Sequence, residues 1–444
     1  MDSPIADFLR AYAASDTARF HMPGHKGHGP LGCEALDITE IQGADSLYEA
    51  DGIIVQSEKN AAALFGTGRT LYSTEGSSQC IRAMLHLALQ NRPKDTAPVI
   101  LAARNVHKAF VYAAALLDFE PVWLWPEGEN SLLRCPVSAT QVAAALDAMA
   151  VPPAAVYLTS PDYLGGMADV EAIARICHSH GTVLLVDNAH GAYLRFLRPS
   201  RHPMDQGADL CCDSAHKTLP VLTGGAYLHI GKNAPAAFAE KARQGMALFG
   251  STSPSYLTLA SLDLCNQSLA GDYPARLAEM TERLHQLRRR LTGRGWRVED
   301  TDPLRLTLTT PAGETGLSLA RRLRESNIEC EYADEEHLVL MLTPENRPEE
   351  LTRLEQALGR APALPKEKAP LPQARGEQAM PVRQALFAPQ ETVAANQALG
   401  RICGAPTVSC PPAVPIAVSG ERIGPEALAL FEHYGVERVD VVKE

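Results

Sequence analysis

Two residues in this chain are placed to do chemistry together, an amine and a carboxylate at separate strand ends. Lys217 lies in Asp213-Ser214-Ala215-His216-Lys217-Thr218-Leu219-Pro220, thirty residues beyond Asp187 in Asp187-Asn188-Ala189-His190-Gly191-Ala192. Each motif follows an apolar run, residues 182–186 before the acid and 208–212 before the lysine motif. An aldehyde cofactor with a basic pyridine nitrogen needs this pair. The amine holds the aldehyde as a Schiff base, and the carboxylate keeps the ring nitrogen protonated so that the ring accepts electrons. The pair reads as the centre of a pyridoxal 5'-phosphate (PLP) enzyme.

Other residues fall into place around it. Gly76-Ser77-Ser78 ends a strand signal and opens a helix signal, so backbone N–H groups, hydroxyls and the helix dipole suit a phosphate there. Glu75 is out of keeping, because a carboxylate repels a phosphate. His107 follows the run 99–102 and is placed either to stack on a pyridine ring or to cap a helix. Thr159 opens Thr159-Ser160-Pro161-Asp162-Tyr163-Leu164-Gly165, a turn whose hydroxyls can reach a ring hydroxyl. Ser214 and His216 flank the lysine and add donors for the phosphate. Taken singly, each has a plain structural reading as a cap, a turn or a surface residue. Kept in order along one domain, they point to one site. Cys410-Pro411-Pro412 has no evident helix N-terminus or paired histidine and reads as a packed cysteine.

The elements that must position these groups alternate. Strand signals lie at 70–73, 99–102, 122–125, 155–158, 182–186, 210–212 and 226–230. Helix signals lie between them at 77–89, 106–117, 137–149, 170–180 and 235–244. Such alternation predicts a mainly parallel seven-stranded sheet covered on both faces, with its chemistry at the carboxyl ends of the strands. The expected organisation is an N-terminal arm (1–30), a large α/β domain (31–270) and a smaller α+β domain (271–360). A linker rich in Pro, Lys, Glu and Gln (361–380) and a last segment (381–444) follow. Within that last segment, the proline-rich run 408–421 predicts a rigid extended loop.

Composition narrows the function classes. With 444 residues, 45% apolar and 21% charged, the chain has the make-up of a soluble globular protein. Its net charge of −11 argues against nucleic acid and anionic membrane surfaces as partners. The ten cysteines include no Cys-x-x-Cys pair, so no metal site or disulfide framework is expected, and free thiols fit the cytoplasm. Met1-Asp2-Ser3-Pro4 is not the start of a signal peptide, and no apolar run approaches membrane-spanning length.

The motifs together resemble the prokaryotic ornithine/lysine/arginine decarboxylases, which are fold-type I, aminotransferase-like PLP enzymes. The resemblance runs over most of the chain. It includes Pro23-Gly24-His25-Lys26-Gly27, Asp37-Ile38-Thr39-Glu40-Ile41 and Arg104-Asn105-Val106-His107-Lys108. It continues through the Thr159, Asp187 and Lys217 motifs, Ser251-Thr252-Ser253-Pro254-Ser255-Tyr256 and the segment 410–421. The short N-terminal region is similar to the compact branch that lacks an N-terminal wing domain. The resemblance implies that Lys217 carries the cofactor, Asp187 pairs with its ring nitrogen, His107 stacks on the ring and His190 lies beside it. Gly76, Ser77, Ser78, Ser214 and His216 would hold the phosphate. It further implies a homodimer with shared active sites, in which Thr252 and Ser253 reach the partner's cofactor. Glu421 or Glu391 would receive the distal cation of a basic amino acid. Three departures stand out. Glu75 replaces the asparagine of an Asn-Gly-Ser-Thr phosphate loop, Leu222-Thr223-Gly224-Gly225 replaces Leu-Thr-Gln after the lysine, and Asn188 replaces a common glutamate.

The implied activity is decarboxylation of arginine, lysine or ornithine to its amine, feeding polyamine-type metabolism. The same scaffold also supports aminotransferase or aldolase chemistry, because the bond broken depends on how the substrate is oriented. A PLP-binding protein without turnover is the reading that Glu75 motivates.

Overall fold

Helix and strand alternate through the first part of the chain, as the apolar pattern requires. The computed structural model describes residues 1–92, 98–128, 132–362, 371–407 and 414–443. Two helices, α1 (Pro4–Ala13) and α2 (Ile53–Phe65), precede β1 (Arg69–Ser73), α3 (Ser77–Asn91), β2 (Val99–Ala103), α4 (Lys108–Leu117) and β3 (Glu120–Leu124). There follow α5 (Ala139–Asp147), β4 (Ala155–Thr159), α6 (Val170–Ser179), β5 (Leu184–Asp187), β6 (Leu210–Asp213), α7 (Ala215–Thr218) and β7 (Ala226–Ile230). Then come α8 (Ala236–Leu248), α9 (Tyr256–Ala270) and α10 (Tyr273–Gly293).

The seven strands form one sheet in the order β1-β7-β6-β5-β4-β2-β3. Strand β5 pairs in parallel with β4 and with β6, whereas β7 runs antiparallel to β6 and to β1. Strands β5 and β6 are buried along their whole length, which is why both read as unbroken apolar runs up to a terminal aspartate. Because they are parallel, with Asp187 opposite Cys212, they deliver their following turns to the same edge of the sheet.

The chain folds into two compact units, residues 1–101, 139–159 and 169–274 in the first, and residues 102–138, 160–168 and 275–444 in the second. In the first unit, Asp263 of α9 accepts hydrogen bonds from Ile5 N (2.9 Å) and Ala6 N (3.0 Å), satisfying the opening turn of α1. Helix α9 was not evident in the sequence. Its buried residues include Tyr256, Leu259, Leu262, Cys265 and Leu269 and lie around much of its circumference, so it has no apolar stripe to detect.

The second unit contains β8 (Arg297–Val298), β9 (Arg305–Thr309), α11 (Gly316–Glu325), β10 (Tyr332–Ala333), β11 (His337–Met341) and α12 (Pro348–Leu358). Its four strands make an antiparallel sheet in the order β10-β11-β9-β8. Next come α13 (Val382–Phe387), β12 (Gln390–Ala394), α14 (Pro425–His433) and β13 (Arg438–Val442), with β12 and β13 paired antiparallel. Segments 102–138 and 160–168 join this unit through specific bonds that chain order does not reveal. Arg305 Nη1 donates to the carbonyls of Asp162 (3.0 Å) and Tyr163 (2.6 Å), and Leu133, Tyr163 and Leu164 pack with Val339. Residues 363–370 of the expected linker lie outside the described residues, as do residues 408–413 of the expected extended loop, Cys410 among them.

Candidate active site

The end of β5 and the turn after it present two groups within four residues. Asp187 is 2% exposed. Its Oδ2 accepts from the Tyr157 hydroxyl (3.2 Å), and its Oδ1 accepts from Ala189 N (3.1 Å) and from the Cys212 thiol (3.5 Å). Tyr157 projects from β4, and burial, reinforced by the Asp187 charge, pushes its phenol well above the ordinary value, so it stays a donor. Asp187 is therefore a carboxylate of fixed orientation at a strand end. His190 follows it, with Nε2 2.8 Å from Lys217 Nζ. The acid turn and the lysine turn meet at this contact.

Lys217 sits on the single turn α7, immediately after Ser214. Ser214 Oγ donates to Ser77 Oγ at 2.8 Å, which brings the lysine turn to the N-terminus of α3. No side chain caps that helix. Gly76 precedes it with φ +71°, a conformation that favours glycine, and a Cβ there would meet nothing within 4 Å. A helix start with no side-chain cap, two hydroxyls and open space beside Gly76 suits a phosphate. His216 Nδ1 donates to Gly225 O at 3.0 Å, and burial lowers the basicity of the ring. An amine, an oriented carboxylate and an uncapped helix start are matched in kind to an aldehyde, a pyridine nitrogen and a phosphate. The residues present fit PLP.

The remaining expected residues fall elsewhere. Thr159 ends β4 in register with Asp187. His107 caps α4, its Nδ1 accepting from Ala109 N at 3.1 Å, so the helix-capping role is realised. Thr252 and Ser253 form an exposed turn in which Ser253 N donates to Ser251 Oγ (3.1 Å). Glu391 lies on β12 and pairs with Arg401 at 2.7 Å.

Glu421 requires a correction. Its two oxygens accept from Arg104 Nη1 and Nη2, both at 2.7 Å, and Oε2 also accepts from Val418 N (3.0 Å). Both side chains are buried, and the guanidinium lies 4.7 Å from the rings of Trp123 and of Trp125. A carboxylate so committed is a structural partner of Arg104, not a receptor for a substrate cation.

One buried cluster was missed. Asp213, the last residue of β6, accepts at Oδ2 from His202 Nε2 (3.0 Å) and His229 Nε2 (3.1 Å), and at Oδ1 from Asn188 Nδ2 (2.7 Å). Burial alone would raise the Asp213 carboxyl, but the charge and hydrogen bonds of His202 and His229 hold it below its ordinary range. Cys211 also lies against this cluster, but burial and the Asp213 charge keep its thiol protonated. The available signal was a charged residue closing an otherwise apolar strand.

Comparison with known proteins gives the family. Residues 3–310 match the family model for the major domain of Orn/Lys/Arg decarboxylases. The chain belongs to the Orn/Lys/Arg decarboxylase family. It is 30% identical to an arginine decarboxylase of Bacillus subtilis (strain 168) over 96% of this chain and 92% of that protein. It is 29% identical to an arginine decarboxylase of Halalkalibacterium halodurans, with the same shares of the two chains covered. The fold matches the constitutive lysine decarboxylase of Escherichia coli with a TM-score of 0.78 at 18% identity, covering 100% of this chain and 82% of that one. This decarboxylase is accordingly a fold-type I, PLP-dependent enzyme acting on an amino acid. Among its described residues no helix is long and apolar enough to cross a membrane.

The decarboxylase's departures from its family pattern have structural partners. Gly224 O accepts from Gly76 N at 2.7 Å, and a Cβ on Gly224 would lie 2.7 Å from Thr74 O. Only glycine lets the stretch after Lys217 approach the Thr74–Gly76 loop so closely. Asn188, in place of a glutamate, donates to Asp213, where a second carboxylate would be repelled.

Proposed function

We propose that this enzyme decarboxylates a basic amino acid, arginine first, in the cytoplasm. The observation that carries the reading is the contact of Lys217 Nζ with His190 Nε2 on the turn that also presents Asp187. Arginine is favoured because four relatives named arginine decarboxylase match 94–96% of the chain, whereas two named lysine decarboxylase and one named biodegradative arginine decarboxylase match 61–73%. When bound, PLP supplies the sink for the electron pair released as the α-carboxylate leaves as CO2.

The chain's own residues supply the rest. Lys217 provides the amine that anchors the cofactor, and His190 fixes the direction of its Nζ. Asp187, steadied by Tyr157, keeps a proton on the ring nitrogen. Gly76, Ser77, Ser78, Ser214 and His216 hold the phosphate, and Thr159 serves the ring hydroxyl. His107 as the ring-stacking residue rests on its motif, and Glu391 is the remaining acid proposed for the distal cation. Thr252 and Ser253 complete the partner's site in a homodimer. The product is an amine of the polyamine-precursor type.

The test measures CO2 release from arginine, lysine and ornithine, with borohydride reduction and peptide mapping. The expected result is CO2 release that is fastest with arginine and a pyridoxyl group on Lys217. Amino transfer without CO2, or an adduct on another lysine, overturns the proposal.

A further inference from the structure

A carboxylate beside a phosphate site is unfavourable on charge grounds, yet Glu75 precedes Gly76-Ser77-Ser78. Its placement removes the conflict. The exposed Glu75 carboxylate accepts a hydrogen bond from Ser251 N, at the start of the exposed hydroxyl turn Ser251-Thr252-Ser253. A second tie runs from the same loop. Ser73 Oγ accepts from Glu75 N (3.0 Å) and donates to Gln79 Oε1 (2.6 Å). The Gln79 amide then donates to Met246 O (2.8 Å) and to the Tyr48 hydroxyl (2.7 Å). Gly250 passes between these bonds, and a Cβ there would lie 1.8 Å from the Tyr48 oxygen and 2.3 Å from Gln79 Nε2. The phosphate loop thus grips segment 246–251 at both ends, and Glu75 makes the bond nearest the hydroxyl turn.

We propose that Glu75 is a positioning residue that couples phosphate binding at Gly76-Ser77-Ser78 to the order of the Ser251–Ser253 turn. A phosphate dianion arriving beside the loop repels the carboxylate and so holds it on the Ser251 N–H it already accepts from. The same charge that is unfavourable near the phosphate then strengthens the bond that fixes the turn. Coupling between two such sites is reciprocal, so an ordered turn favours the bound phosphate. The inference rests on the proposed function in taking Gly76-Ser77-Ser78 as the phosphate site and this turn as the one offered to a partner's cofactor. The bonds to Ser251 and Met246 lie within one chain.

Amide hydrogen exchange tests it on the full-length protein, free, with inorganic phosphate, and with PLP. In the wild type, PLP should slow exchange severalfold both at the start of α3 and in the peptide covering 249–255. In Glu75→Ala the start of α3 should still respond, while 249–255 should exchange faster in the free protein and lose its response. Glu75→Gln keeps the acceptor without the charge, so the turn should stay protected in the free protein but gain little on phosphate binding. Glu75 is exposed, so neither variant threatens the fold. Wild-type exchange of 249–255 in Glu75→Ala overturns the proposal, as does tighter PLP binding with no change in the turn. Sedimentation of the wild type separates the two readings. A monomer defeats the shared-site reading, whereas loss of coupling within a dimer defeats this one.

Discussion

Asn188 Nδ2 donates to Asp213 Oδ1 at 2.7 Å, and both side chains are fully buried. Asn188 lies between Asp187 and His190, and Asp213 directly precedes Ser214 and the lysine turn. The bond therefore clasps the loop that carries His190 to the one that carries Lys217. Gly191 makes room for it, since a Cβ there would lie 2.0 Å from Asn188 Oδ1.

Breaking the clasp should cost stability. Asn188→Ala removes one donor from a buried carboxylate, with an expected loss of about 1–3 kcal/mol. Asn188→Asp should be worse, because it sets a carboxylate against Asp213 in a buried setting. Urea denaturation of the PLP-free protein measures both. Equal stability of Asn188→Asp and wild type would show that the clasp contributes nothing.

Asp187→Asn should impair turnover far more than cofactor retention. Ser77 and Ser214, the residues proposed for the phosphate, are untouched, while the proton on the ring nitrogen would lose its counter-ion. A loss of about three powers of ten in kcat corresponds to ~4 kcal/mol of transition-state stabilisation. Rapid-quench CO2 assays, with PLP content read by absorbance, check it. Near-normal kcat in a PLP-replete variant excludes the role.

The Arg104–Glu421 pair should behave as a structural unit. Glu421→Gln leaves a buried guanidinium without its counter-charge, with an expected cost of about 3–5 kcal/mol. An Arg104→Met/Glu421→Met double variant should recover much of that stability and keep the wild-type KM for arginine. A large rise in KM in the stable double variant would return Glu421 to substrate binding.

Acid should destabilise the fold in two stages. Burial lowers the His229 imidazole below its ordinary 6.5. The unfolded chain therefore binds a proton first, and stability falls as pH drops from 6.5 toward the folded value, by at most ~1.4 kcal/mol per pH unit. Asp213 is held below its ordinary 3.8, so its contribution is full above 3.8 and is lost as pH falls below it. Asp162, raised to about 6 by burial, works in the opposite sense, stabilising most below 3.8 and losing its contribution as pH rises through about 6. Its contribution cancels when wild type is compared with His229→Gln. The Tm of that variant should fall less than that of the wild type between pH 6.5 and 5. Parallel curves would show that His229 does not titrate with unfolding.

Mixing inactive Lys217→Ala chains with inactive Thr252→Ala/Ser253→Ala chains should restore part of the activity. One site of a mixed dimer then has its own lysine and the partner's hydroxyls, while the other collects both defects. No recovery after verified subunit exchange, with the double-alanine chain inactive when assayed alone, rules out a contact across the interface.

The sequence alone determined the seven strands of the main sheet and the residue types that close them. Apolar runs ending in Asp187 and before Ser214-Ala215-His216-Lys217 marked buried parallel strands, because a strand covered on both faces must be apolar until it emerges. The Gly76-Ser77-Ser78 turn was legible for a similar reason, since a glycine and hydroxyls at a strand-to-helix junction follow local rules. Tertiary structure decided which polar groups are already spent on one another. Glu421 and Glu391 look alike in sequence, yet one is buried against Arg104 and the other lies half exposed beside Arg401. Glu75 looked wrong for a phosphate loop until Ser251, 176 residues away, supplied its partner. The bond from Asn188 to Asp213 spans 25 residues and joins two strands that become neighbours only when the sheet forms. Local patterns set the period and the ends of elements. The pairing of buried charges depends on contacts distant in the chain, and no local pattern encodes those.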